Sequence, residues 1–111
     1  MKYQVITSSH ASFDLEEIDC YISRNDSPAK AAYVMDRLET ACASLYSNPN
    51  RGSYPPEMAK LGVHDYREIF FKPYRIIYKV SNHDVYILLI ADGRRDLRTL
   101  LLQRLTDVSG S

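Results

Sequence analysis

Between Ala31 and Leu45 the apolar residues Ala31, Val34, Met35, Leu38, Ala41, Cys42 and Leu45 recur at spacings of three and four. That spacing gathers them into one stripe of an α-helix, with Lys30, Asp36, Arg37 and Glu39 mostly on the opposite face. The ends are marked as clearly as the interior. Ser27 is placed as N-cap and Pro28 at the first helical position, where a missing N–H is harmless. Asn48-Pro49-Asn50-Arg51-Gly52 then terminates the pattern.

On either side of this helix the chain reads differently. Tyr3–Thr7 is rich in β-formers and predicts a short strand. Ser8, Ser9 and Ser12 offer caps for a first helix, and Asp14, Glu16 and Glu17 suit its first turn. Phe13, Leu15, Ile18, Tyr21 and Ile22 form its apolar face over about four turns. Asn25-Asp26-Ser27-Pro28 ends it, so the two helices form an antiparallel hairpin. Ser53 to Val63, with Pro55, Pro56 and Gly62, reads as a loop. After it come three β-branched and aromatic runs: Tyr66–Phe71, Tyr74–Val80 and Asp84–Ile90. They are too short and too sharply punctuated for helices and predict an antiparallel meander. The third is apolar on both faces, so it should be central or covered by the hairpin. Pro73 does not suit the two-residue turn that needs positive φ at both central positions, which leaves the register of Arg67 and Arg75 open. Asp92-Gly93 breaks the last strand, and Arg94–Leu105 predicts a short helix with Leu97, Leu100, Leu101 and Leu105 on one face. Residues 1–106 are expected to form a single domain and 107–111 a frayed tail.

The 111 residues suffice for one domain, and 45% apolar with 25% charged residues is an ordinary globular balance. The formal net charge of zero hides an asymmetry. Residues 1–66 carry six Lys/Arg against nine Asp/Glu, and residues 67–111 carry eight against five. The C-terminal part is therefore the side that would attract an anionic partner. Cys20 and Cys42 fall at positions consistent with burial and form no CxxC motif, which suggests structural thiols in a reducing compartment. The N-terminus has no apolar leader and the longest apolar run, Ile87–Ala91, is far too short for a membrane span; a cytoplasmic location is expected. No Gly-rich phosphate loop, GxSxG, HExxH or metal-ligand spacing occurs, so no metal and no cofactor are expected.

Asp14-Leu-Glu-Glu-Ile18, Tyr21-Ile22, Ser27-Pro28-Ala29, Leu45, Asn48-Pro49 and Gly52 resemble the helical hairpin of ParE-type toxins. Tyr66-Arg67, Tyr74-Arg75-Ile-Ile-Tyr78, Ile90 and Gly93-Arg94-Arg95-Asp96 resemble the sheet of the wider RelE/ParE superfamily. The resemblance runs from residue 1 to about residue 100. It implies an α+β fold: an N-terminal strand, an antiparallel helical hairpin packed on an antiparallel sheet, and a short C-terminal helix. It also implies a cytoplasmic bacterial toxin neutralised by a cognate antitoxin whose C-terminal segment wraps around it, with a homodimer or toxin–antitoxin hetero-oligomer as candidate assemblies.

Within that superfamily, RelE-type toxins cut messenger RNA in the ribosomal A site, whereas ParE-type toxins inhibit DNA gyrase. Cutting by a 2′-hydroxyl needs cations on the scissile phosphate and groups that take and give protons. Arg67 and Arg75 match basic strand positions of the superfamily, and Arg94 and Arg95 match those after the last strand. These four are the candidate target-binding residues, and the candidate catalytic ones if the chain is RelE-like. Arginine grips phosphate or carboxylate in a fork but shuttles protons poorly. No Tyr follows Tyr86 and no His follows His83, so the C-terminal acid–base residue of the nucleases is missing. Tyr66, Tyr74, Tyr78, His64 and His83 remain, and packing is the ordinary explanation for the strand tyrosines. The resulting expectation is a ParE-like gyrase inhibitor built on one shared arginine surface without proton-transfer groups. A RelE-like messenger RNA endonuclease and a non-toxic antitoxin-binding relative are the alternatives. An apolar groove where the hairpin meets the sheet edge, involving Leu15, Ile18 and Leu38, is expected to hold the antitoxin.

Overall fold

The computed structural model describes residues 2–106. Among them the order is β1 (Gln4–Thr7), α1 (Ser9–Asn25), α2 (Pro28–Ala43), α3 (Pro56–Ala59), β2 (Arg67–Phe71), β3 (Tyr74–Ser81), β4 (Asp84–Asp92) and α4 (Leu97–Thr106), with a 3-10 turn over Ser44–Tyr46. Ser8 caps α1 by accepting a hydrogen bond from the Ala11 amide at 3.1 Å. Ser27 caps α2 through the Lys30 amide at 3.0 Å, with Pro28 in the first turn as expected. The tail at 107–111 lies outside the described residues.

The strand order is β1-β4-β3-β2. β2, β3 and β4 form the expected antiparallel meander, and β1 adds to β4 in parallel, so the sheet is mixed. A cis Lys72–Pro73 peptide lies in the turn between β2 and β3, with Phe71 opposite Tyr74 and Arg67 opposite Tyr78. β4 is central at its start, with β1 on one side and β3 on the other.

Both faces of the sheet are covered, which explains why β4 is apolar on both sides. On one face Ile76, Tyr78, Val85, Ile87 and Ile90 pack against Ala11, Ile22, Val34 and Leu38 of the hairpin. On the other Ile77, Leu89 and Ala91 pack with Met58 of α3 and with Leu97 and Leu101 of α4. The pairing of β3 with β4 slips between Ile77, opposite Leu89, and Tyr78, opposite Ile87. Leu88 is the extra residue of this bulge, and it changes which β4 side chains face the hairpin. Val85 and Ile87 point to it before the bulge and Ile90 after it.

Three expectations need correction. The stretch 53–63 is not all loop: Pro56 starts the one-turn α3, whose Met58 is buried at 3% exposure. Four residues are too few to display a helical period. The last helix begins at Leu97, not Arg94, because Asp92 turns the chain first. Its carboxylate accepts from the Arg94 amide at 2.9 Å and its carbonyl from the Arg95 amide at 3.0 Å. Asp96 then caps α4 through the Thr99 amide and hydroxyl. Cys20 is exposed rather than buried, since it lies outside the stripe that α1 turns to the sheet. Cys42 is half-buried, and burial pushes its thiol up to about 11.

Candidate functional site

Arg75 stands on β3 opposite Phe70 and Ala91, on the sheet face covered by α3 and α4. Its guanidinium lies between two carboxylates. Nη1 and Nη2 donate to Glu57 of α3 at 2.6 and 2.8 Å, and Nε donates to Glu68 of β2 at 2.7 Å. The Glu68 side chain is 3% exposed and that of Arg75 12%. Hydrogen bonding to Arg75 holds the Glu57 carboxyl below the usual carboxylate range. Burial raises the Glu68 carboxyl, with Arg75 opposing. This network ties α3 to the sheet and leaves Arg75 little to offer a target.

Arg67 lies on the other face, opposite Tyr78. Its Nη1 donates to the carbonyl of Gly52 at 2.8 Å, and its Nη2 to the Tyr54 hydroxyl at 3.2 Å. Tyr78 holds the same loop from inside the core: its hydroxyl donates to the Pro49 carbonyl at 2.7 Å and accepts from the Gly52 amide at 3.0 Å. Gly52 is required here, because a Cβ would lie 2.6 Å from both the Glu68 carbonyl and the Tyr78 hydroxyl.

Arg94 and Arg95 are exposed at the far end of β4, where they line a cleft of about 710 Å³ between α1, β4 and α4. Arg94 is clamped to Asp92 at 3.1 Å, which holds the Asp92 carboxyl below the usual range. The four arginines thus do not form one surface. Arg75 is enclosed on one sheet face, while Arg67 and the Arg94–Arg95 pair occupy separate corners. Side-chain alternation along β2 and β3 is the physical reason: Arg67 faces the hairpin and Arg75 faces away from it.

The cleft also contradicts the expectation that no proton-transfer group lies beside the arginines, because Tyr21 and Tyr74 line it with them. Burial raises the Tyr74 phenol, and Asp92 raises it further. The sequence explains Tyr74 by packing and Tyr21 only as part of the apolar face of the first helix, because nothing local in it brings either of them to Arg94 and Arg95. Tyr78, Tyr66 and Leu38, by contrast, are core residues. Leu38 is fully buried against the sheet and cannot line a groove. Ile18 does line the cleft, and Leu15 is half-buried against the core. Phe13 and Tyr21 supply the exposed apolar surface there, at 58% and 68%.

One feature of the cleft was not signalled by any motif. Pairing with β1 stops at Ile87, so β4 continues with an open edge. Side chains close it. Asp14 of α1 accepts from the Ile90 amide at 2.9 Å, and Arg104 of α4 donates to the Leu88 carbonyl at 2.9 Å. The two are bound to each other at 2.7 and 2.9 Å.

Residues 5–97 match the family model described as the ParE toxin of the type II toxin–antitoxin system parDE. The chain belongs to the ParE toxin family. Toxin ParE3 of Caulobacter vibrioides is 28% identical over 98 residues, covering 88% of this chain and 94% of that one. Among solved structures, a chain of the chromosomal ParDE system of P. aeruginosa matches with a TM-score of 0.69 at 19% identity, over 82% of this chain and 96% of that one. A variant of the E. coli toxin RelE in the free state matches with a TM-score of 0.63 at 12% identity, over 97% and 99%. The α+β fold of this ParE-type toxin is thus that of the RelE/ParE superfamily.

Proposed function

We propose that this ParE-type toxin, with residues 1–106 as its single domain, acts in the cytoplasm by binding and inhibiting DNA gyrase, and that a cognate antitoxin neutralises it. The enclosure of Arg75 by Glu57 and Glu68 carries this reading against RNA cutting. A nuclease of this fold needs several cations converging on one phosphate, and here the strand arginines face opposite ways. The exposed Arg94 and Arg95 and the neighbouring Phe13 and Tyr21 suit protein contact instead, since arginine and aromatic anchors dominate interfaces. The antitoxin is assigned to the same side of the hairpin, at Ile18 and Leu15.

Purified toxin should inhibit gyrase-catalysed supercoiling. The Arg94→Ala plus Arg95→Ala variant should need about tenfold more protein for the same inhibition, the loss of a typical hot-spot contact. Full supercoiling activity at large molar excess of toxin removes the proposal. Tyr21 and Tyr74 beside Arg94 and Arg95 favour the endonuclease as a second reading. It expects A-site cuts by primer extension on ribosome-bound message, lost in Tyr74→Phe.

A further inference from the structure

The turn of the helical hairpin and the turn between β2 and β3 border one pocket of about 330 Å³. Spacing makes its lining converge. Ile22, Asn25 and Asp26 share one side of the end of α1, and Lys30, Tyr33 and Val34 share one side of α2. Phe71 and Tyr74 are paired across β2 and β3, and both pack on the hairpin side of the sheet. Ile22 and Val34 are buried and supply an apolar floor. The Tyr33 ring is 54% exposed and stands edge-on to Phe71, with 6.3 Å between centroids. Lys30 Nζ lies 5.7 Å from the centre of the same Tyr33 ring. Three charges on the rim lack an opposite. Among the described residues Lys30, Lys72 and Asp26 hold no ion-pair partner within 4 Å, unlike Arg75, Arg94 and Arg104. The hairpin turn also sets the C-terminal end of α1, a negative pole, beside the N-terminal end of α2, a positive one.

We propose that this pocket binds a free aromatic amino acid, its ring between Tyr33 and Phe71, its carboxylate at Lys30 and Lys72 and its ammonium at Asp26. The apolar floor and the two rings suit a planar apolar group, which gains both burial and edge contacts there. Two ammonium groups without counter-ions suit one carboxylate, and the unpaired Asp26 suits one cation beside it. A ligand carrying both charges satisfies all three rim groups, whereas an aromatic acid or an aromatic amine leaves one side unmatched. A residue at a peptide terminus keeps only one of the two charges, so the pairing selects the free amino acid. The volume lies at the lower end of small-molecule sites, which fits a ligand of this size. Amino-acid binding here does not depend on gyrase inhibition, since neither lysine lines the cleft of Arg94 and Arg95.

Titration of the full chain with L-phenylalanine, followed by amide shifts in nuclear magnetic resonance, tests the site. 3-Phenylpropionate, which lacks the ammonium, and 2-phenylethylamine, which lacks the carboxylate, serve as comparison ligands. L-Phenylalanine should bind with a dissociation constant of about a millimolar or below, in line with its atom count. The shifts should centre on Lys30, Tyr33, Phe71 and Tyr74, and both comparison ligands should bind several-fold more weakly. Lys30→Gln with Lys72→Gln should weaken L-phenylalanine and 3-phenylpropionate by about fivefold or more and leave 2-phenylethylamine no weaker. Asp26→Asn should do the reverse, weakening L-phenylalanine and 2-phenylethylamine and sparing 3-phenylpropionate. Tyr33→Ala should weaken all three by about fivefold, the loss of one ring contact. These four side chains are exposed, so the amide spectra of the variants should keep the folded dispersion. Lys79→Gln, a charge loss outside the pocket lining, should bind as the parent does. Shifts absent at millimolar L-phenylalanine, equal binding of either comparison ligand, or affinities unchanged in the lysine and Asp26 variants would overturn the site.

Discussion

Arg75→Ala is expected to lower stability by about 3–5 kcal/mol, because it leaves a buried carboxylate without its counter-ion. The Glu68 side chain is 3% exposed and bonds to Arg75 at 2.7 Å. Glu57 matters less, since its side chain is 31% exposed and can turn to water. Acid should narrow the deficit. In the parent, burial raises the Glu68 carboxyl and Arg75 opposes the rise. Without Arg75 only the raising influences remain, burial and Glu57, so the folded variant holds a proton on Glu68 more tightly than the unfolded chain does. Stability from a carboxylate whose folded value is raised is present at low pH and lost as pH climbs through that value. The deficit should therefore be largest near neutrality and shrink as pH falls towards the ordinary carboxylate range. Replacing the pair together, Arg75→Leu with Glu68→Leu, should recover most of the loss. Urea unfolding at two pH values reads all of this, and a deficit that grows in acid would contradict the assignment.

The same residues show how far the sequence was legible. The α2 stripe and its Ser27–Pro28 start stood out because sixteen residues repeat one period between strong punctuation. The strand meander was equally plain from its β-branched runs. The parallel pairing of β1 with β4 was not, because four residues carry no signature of the neighbour they will meet. The bulge at Leu88 was hidden for a related reason. In a strand buried on both faces, a shift of one residue exchanges one apolar side chain for another and leaves the pattern unchanged.

The site was less legible than the fold because side-chain roles depend on pairings across the sheet. Arg75 and Arg67 look alike in sequence, yet the register turns one towards Glu57 and Glu68 and the other towards the loop at Gly52. A pairing of Arg75 with Glu68 is conceivable from sequence, but only the α3 cover makes it a buried one. Leu38 fits a groove as well as a core until the sheet covers it. Asp14 reads as a first-turn acid that favours a helix N-terminus, and its contact with Arg104 spans 90 residues. No local pattern carries a contact of that separation.

That contact gives the second large effect. Asp14→Ala should cost roughly 2–3 kcal/mol, because it strands a partly buried guanidinium and the Ile90 amide together. Arg104→Ala should cost somewhat less, about 2 kcal/mol, because Asp14 loses its counter-ion and the Leu88 carbonyl its donor, but Asp14 keeps the Ile90 amide as a partner. The double variant should fall short of the sum by about 1 kcal/mol or more, the signature of directly bonded groups. Denaturant unfolding of the four proteins gives the cycle, and strictly additive losses would mean that the pair contributes nothing as a pair. The double variant should also change how the molecule meets others. With both side chains gone, the Leu88 carbonyl and the Ile90 amide stand unpaired on an open strand edge, which is a template for another strand. Self-association that rises with concentration is therefore expected in the double variant before the single ones, and analytical ultracentrifugation can order them. Equal behaviour of all four proteins would show that α1 and α4 cover this edge by bulk alone, without the ion pair that joins them.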